Sequence, residues 1–203
     1  MAEQTVYLYV FDTLADWEPS FAIAGINNPA FQEQPGRFEI KTVGETREPV
    51  KTIGGVTILP DSTLAELEIE GSALLILPGG NWSEGTHRAA LEKARQFLAA
   101  GIPVAAICGA TEGLARAGML DSVQHTSNAP AYLQATGYLG GAHYLNQGAV
   151  TAGNLITAGA AFPIDFAYQI FQKLGIYSPS TLEAWYGLYT TGDASHFYKM
   201  ARQ

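Results

Sequence analysis

A chain of 203 residues, 47% hydrophobic and 15% charged, is long enough to bury a full core and fits one α/β domain or two small ones. Eleven Lys+Arg against nineteen Asp+Glu give a net charge of −8, and without a basic cluster there is no surface to track nucleic-acid phosphates. The single cysteine, Cys108, excludes a disulfide framework and a Cys-rich zinc site.

No stretch approaches the ~18 apolar residues of a membrane span. Glu3 stands where a signal peptide carries Lys or Arg, and the apolar run behind it ends at Asp12. With a lone thiol, this leads us to expect a cytoplasmic protein. Soluble domains average about a quarter charged residues, so the low charge fraction here implies surface covered by an oligomer.

In chain order, Thr5–Phe11 is expected as a strand and a helix should run from about Glu18 to Ile26. Arg37–Val43 alternates as a strand, Gly55–Pro60 gives a short one, and Asp61–Leu67 reads as an Asp-capped helix. Ala73–Gly80 is apolar at every strand position, the mark of burial on both faces. Thr86–Gly101 is predicted as a helix with a Thr cap and a Gly stop. Ile102–Cys108 is a second fully buried strand, turning directly into a helix over Gly109–Leu120. Asn128–Gly137 is predicted helical, Asn154–Gly159 a strand and Phe162–Gly175 an amphipathic helix. Alternating strands and helices imply a parallel sheet with helices on both faces, in one domain over 1–203. From about Pro179 an aromatic helical extension carries Trp185, Tyr186, Tyr189, Phe197 and Tyr198, apolar area that a homodimer would cover.

Cys108 ends a strand that feeds straight into a helix, which makes a nucleophile elbow. An isolated cysteine is usually an inert buried thiol, but at an elbow the helix N-terminus favours the thiolate. In LPGG, Gly79 and Gly80 read equally as a tight turn or as backbone N–H donors for an oxyanion, with Gly109 beside the cysteine. Alone, Glu18 is an ordinary helix-dipole partner. Ligands of parallel sheets, however, bind at the carboxyl ends of the strands, where the turns carrying Glu18, Gly79–Gly80 and Cys108 all open.

These segments, DTLADWE, GGVTILPD, ALLILPGG, AAICGAT and the NLITAG helix unit, resemble in order and spacing the ThiJ/PfpI superfamily. Its members, relatives of class I glutamine amidotransferases, include a parkinsonism-associated protein and intracellular protease-like proteins. The resemblance covers roughly Thr5 to Gly175. It implies a flavodoxin-like three-layer sandwich with a mainly parallel sheet, a nucleophilic Cys108, a protonated Glu18 facing its thiolate, and a homodimer or higher homo-oligomer.

Departures from the family pattern bear on the chemistry. Where many members carry a histidine after the elbow helix, HTSNAP places Asn128, with His125 three residues earlier as a possible substitute. Protease-like members follow the cysteine with a histidine, and here Gly109 stands there. The amidotransferase pattern fails at Ala106 and at GAAFPID, which lacks the His-x-Glu pair. His87, His143 and His196 are scattered without metal-ligand spacing, and no phosphate-cradling motif exists, so neither metal nor cofactor is expected.

Three functions share this pocket. The leading one is a cysteine-dependent enzyme acting on a small carbonyl or amide compound, of glyoxalase, deglycase or amidase type. The second is a redox or stress sensor using the same thiolate, and the third a ligand-binding scaffold.

Overall fold

The computed structural model describes residues 4–83 and 85–201. Glu3, on which the absence of an export signal was argued, and the two ends of the expected 1–203 domain lie outside the described residues.

Seven strands form the central sheet: β1 (Gln4–Tyr9), β2 (Phe38–Gly44), β5 (Ser62–Thr63), β6 (Ser72–Leu77), β7 (Val104–Ile107), β8 (Ala149–Ala152) and β9 (Leu155–Ala158). β3 (Val50–Lys51) and β4 (Thr57–Ile58) pair apart from it as an antiparallel hairpin. The sheet order is β5-β2-β1-β6-β7-β9-β8, parallel throughout except for β8 against β9. This is the mainly parallel, flavodoxin-like arrangement that the sequence implied. β6 and β7 lie centrally and are buried along their whole length, which is why they read as unbroken apolar runs.

The helices are α1 (Trp17–Asn27), α2 (Arg88–Ala99), α3 (Gly109–Arg116), α4 (Pro130–Gln134), α5 (Pro163–Leu174), α6 (Pro179–Thr191) and α7 (Ser195–Met200). From β1 the chain crosses through α1 to β2 on one side, whereas β6 crosses through α2 to β7 on the other. Right-handed crossovers therefore put α1 and α2 on opposite faces, and α5 and α6 pack with α1. The two directions of travel diverge between β1 and β6. The carboxyl ends of these strands open the crevice in which doubly wound sheets hold their ligands.

Four expectations are corrected. Asp61–Leu67 is not a helix: Asp61 Oδ2 accepts the N–H and O–H of Thr42, each at 2.7 Å, and Ser62–Thr63 pair with Val43–Gly44 as the edge strand β5. Thr86 does not cap α2; its hydroxyl donates to the Ser83 carbonyl, and the helix begins after His87, whose backbone is left-handed. The helix expected over Asn128–Gly137 shrinks to Pro130–Gln134, and the Gly55–Pro60 strand to Thr57–Ile58. The aromatic extension is helical as expected, and within it Trp185 is buried against Phe171 and Phe21. Tyr189, Phe197 and Tyr198 stay exposed.

Candidate active site

The site is assembled from the ends of three neighbouring strands. β7 ends at Ile107, and Cys108 takes φ 57°, ψ −121° before α3 starts at Gly109. A non-glycine residue held at positive φ stores strain, and three hydrogen bonds hold it there. The Cys108 N–H donates to the Ala158 carbonyl at 3.0 Å, and the Cys108 carbonyl accepts the Thr111 N–H at 3.0 Å and hydroxyl at 2.6 Å. The thiol is half-buried at the head of α3.

β6 ends in Pro78-Gly79-Gly80. The Gly79 N–H donates to Glu18 Oε2 at 2.5 Å, and its carbonyl accepts the Ala15 N–H at 3.0 Å. This clamps the start of α1 to the sheet edge and drives the Glu18 side chain inward, where the residue is 1% exposed. A Cβ on Gly79 would lie 2.6 Å from the Cys108 Cβ and within contact of both Glu18 oxygens. Only glycine lets carboxyl and thiol approach across this turn. Glu18 Oε1 is buried with no hydrogen-bond partner.

Asn128 comes from the segment before α4. Its Oδ1 accepts the Ala160 N–H at 2.8 Å, which fixes the amide orientation and aims Nδ2 at Cys108 Sγ, 3.5 Å away. The Gly109 N–H also faces the sulfur.

Burial raises Glu18 to about 7, against the opposing pull of the Cys108 and Gly79 hydrogen bonds. Burial, and then the facing Glu18 carboxylate, push the Cys108 thiol up to about 11, while Asn128 and the Gly109 N–H pull it down. Burial is the larger cause for both groups, and two adjacent negative charges add to it for the thiol. The two groups lie close enough to titrate as a coupled pair and not independently. The helix-dipole argument from sequence expected a lowered thiol; burial and the facing Glu18 carboxylate act in the opposite direction.

Cys108, Glu18 and Asn128 are thus brought together, with Gly80 and Gly109 alongside. Gly79 is corrected: its N–H is occupied by Glu18 and is not free for an oxyanion. His125 is also corrected. It is fully buried, with Nδ1 bonded to the Val123 carbonyl at 2.8 Å and Nε2 to the Tyr138 hydroxyl at 3.2 Å, and its ring packs on Tyr138 and Tyr144.

A histidine at position 109 is excluded sterically, since a Cβ there would lie 2.6 Å from the Gly80 carbonyl oxygen and 2.8 Å from Trp82. Sequence reasoning missed a supporting chain around the elbow helix. Tyr132 donates to Glu112 at 2.7 Å, Glu112 pairs with Arg116, and Arg116 donates to the Trp82 carbonyl at 2.7 Å. The i,i+4 spacing of Glu112 and Arg116 was the available signal. Among the described residues no cluster of His, Cys, Asp or Glu could hold a metal, and no helix is long and apolar enough to cross a membrane.

The DJ-1/PfpI family profile matches residues 4–173. An uncharacterized protease, YoaZ, of Bacillus subtilis (strain 168) is 40% identical, over 98% of this chain and 97% of its own length. A thiJ/pfpI family protein from Bacillus anthracis superposes with a TM-score of 0.92 at 38% identity, covering 100% of this chain and 98% of that one. A DJ-1 superfamily protein from Agrobacterium tumefaciens gives 0.82 at 31% identity, covering 93% and 98%. The family match and the likeness in sequence and structure run over nearly the whole length: the chain belongs to the DJ-1/PfpI family.

Proposed function

We propose that the chain is a cysteine-dependent enzyme for a small carbonyl compound, with Cys108 as nucleophile and Glu18 as its acid/base partner. The observation that carries this reading is the buried, unpartnered Oε1 of Glu18 beside the half-buried thiol. Once the pair has lost its first proton, the remaining one has a natural place on Oε1, where it donates to the sulfur. Asn128 Nδ2 and the Gly109 N–H then complete the hydrogen bonding of a thiolate.

In this state the Cys108 sulfur attacks the aldehyde carbon, forming the C–S bond as the carbonyl π pair moves to oxygen. The Gly80 and Gly109 N–H groups face that oxygen, and Glu18 hands it the shared proton, leaving a neutral hemithioacetal. For a 2-oxoaldehyde, the Glu18 carboxylate takes the hydrogen on the hemithioacetal carbon as a proton and returns it to the neighbouring carbon, while the hydroxyl hydrogen passes to the second carbonyl oxygen. Water then attacks the thioester so formed, expelling the Cys108 thiol and releasing a 2-hydroxy acid. Turnover should rise with pH through the first ionisation of the pair, because below it the sulfur keeps its proton.

The relatives named as proteases suggest hydrolysis, but this site lacks a group suited to expelling an amine. Asn128 stands at the expected histidine position, Gly109 excludes a side chain, and His125 is committed elsewhere. General acid help of this kind contributes about 10²–10⁴-fold, so unactivated peptides should survive. A sulfinate on Cys108 would meet the same donors, which keeps the redox-sensor reading as the second one.

A single domain working in the cytoplasm as a homodimer or larger homo-oligomer completes the proposal. Trp17, Ile53, Val56, Tyr189, Phe197 and Tyr198 supply exposed apolar area for the contact. The test is incubation of wild type and Cys108→Ala with methylglyoxal, glyoxal, chromogenic amides and casein. We expect loss of the 2-oxoaldehydes with wild type only, and intact casein. Casein cleavage that vanishes in Cys108→Ala would overturn the exclusion of peptidase chemistry. An inert wild type that is oxidised at Cys108 by peroxide would shift the reading to the sensor.

A further inference from the structure

A second cleft opens over the carboxyl end of β1, and the chemistry at Cys108 makes no use of it. Its volume is about 690 Å³, within the roughly 300–1,000 Å³ of small-molecule sites. The floor is Tyr9 to Thr13; one wall brings Glu45 and Val50, the other His87 and Arg88. Cys108 does not line it. Phe11 and the Gly80 backbone stand on the boundary: a Cβ on Gly80 would lie 2.8 Å from the Phe11 ring.

Two features mark the cleft as built. Thr13 and His87 both line it at positive φ, 78° and 55°, and they are two of four non-glycine residues so strained among those described. Strain of this kind collects at ligand clamps and active sites. The His87 ring is also fixed at both nitrogens. Nε2 lies 2.9 Å from the Asn81 carbonyl, which only accepts, so Nε2 carries the hydrogen. Nδ1 lies 2.8 Å from the hydroxyl oxygen of buried Tyr9, and that hydroxyl donates to Glu45 Oε1 at 3.3 Å. The rings of Phe11 and Trp82, each 4.5 Å away, hold the imidazole in place.

The charges on the walls are opposite, and Glu45 keeps a carboxylate oxygen beyond the one that accepts from Tyr9. Among the described residues neither Glu45 nor Arg88 enters an ion pair. Phe11 and Val50 supply apolar surface between them. We propose that this cleft is a second ligand site for a short zwitterionic peptide. Its ammonium group meets Glu45, its carboxylate takes the Arg88 guanidinium, and an apolar side chain lies on Phe11 and Val50. A planar guanidinium fork matches a carboxylate bidentately, and charge-assisted bonds of this kind are the strong ones.

The experiment is calorimetric titration with the free dipeptide alanylphenylalanine, its N-acetyl form and its C-terminal amide. Wild type, Glu45→Gln, Arg88→Ala and Cys108→Ala are compared, with melting curves to verify folding. The free dipeptide should bind wild type and Cys108→Ala alike. Blocking the carboxylate, or Arg88→Ala, should weaken binding about 10-fold or more, as should N-acetylation or Glu45→Gln. The blocked peptides on wild type give the answer even if a variant misfolds. No binding to wild type at millimolar peptide, equal binding of free and blocked peptides, or loss of binding in Cys108→Ala would each overturn the assignment.

Discussion

His125 and Glu18 are both buried titratable groups, and their surroundings differ. His125 has both ring nitrogens satisfied, by Val123 and Tyr138, and burial lowers its pKa below the usual histidine range. Glu18 has one oxygen held by the Gly79 N–H and the other left facing a thiol with no fixed partner. The first is a finished network that favours one protonation state and rigidifies the segment around it. The second is unfinished, so a proton can move within it. Burial alone does not separate structural from chemical groups; an open hydrogen-bonding position does.

The largest expected effect comes from closing the gap between the strand ends. Gly109→Ala puts a methyl group against the Gly80 backbone oxygen and Trp82, neither of which is a flexible chain end. Loss of Cys108-dependent turnover should accompany a stability cost of about 1–3 kcal/mol, read by thermal melting and a methylglyoxal assay. Full activity in this variant would mean that the oxyanion position lies elsewhere.

Asn128→Ala should act less strongly. It removes one donor to the sulfur while leaving the Ala160 N–H without its acceptor. Turnover is expected to fall about 10-fold and the midpoint of Cys108 alkylation to rise, since a hydrogen bond to a charged group is worth roughly 1.5–3 kcal/mol.

The smallest effect on chemistry belongs to the finished network. His125→Leu strands the Val123 carbonyl and the Tyr138 hydroxyl, costing about 1–3 kcal/mol of stability. The alkylation profile of Cys108 should stay unchanged. A shifted profile would connect His125 to the thiol and dissolve the contrast between the two regions.

Much of this was legible in sequence where a local pattern had one physical meaning. The unbroken apolar runs of β6 and β7 could only be strands buried on both faces, and the direct passage from Ile107 to Gly109 required an elbow. DSTLAEL misled because its helix-start chemistry is genuine: Glu66 Oε2 accepts the Thr63 N–H at 2.9 Å, but the turn is diverted into an edge strand by pairing with β2. Thr86 misled in the same way, since a hydroxyl near a helix start has more than one carbonyl or amide in reach. The role of Gly79 was hidden because its N–H is claimed by Glu18, 61 positions away in sequence. The second cleft was invisible for the same reason, as its walls come from three separate connections.

The most direct test of the shared proton is the rate of Cys108 alkylation by iodoacetamide across pH 5 to 11, in wild type and Glu18→Leu. In wild type the reactive thiolate should emerge with a midpoint below the free-cysteine value of about 8.5, because in the proposed state the proton left on the pair rests on Glu18 and not on the sulfur. Glu18→Leu removes the donor to the sulfur while leaving the thiol buried, so its midpoint should move above 8.5. A wild-type midpoint at or above 8.5, or one that Glu18→Leu leaves in place, would contradict the account.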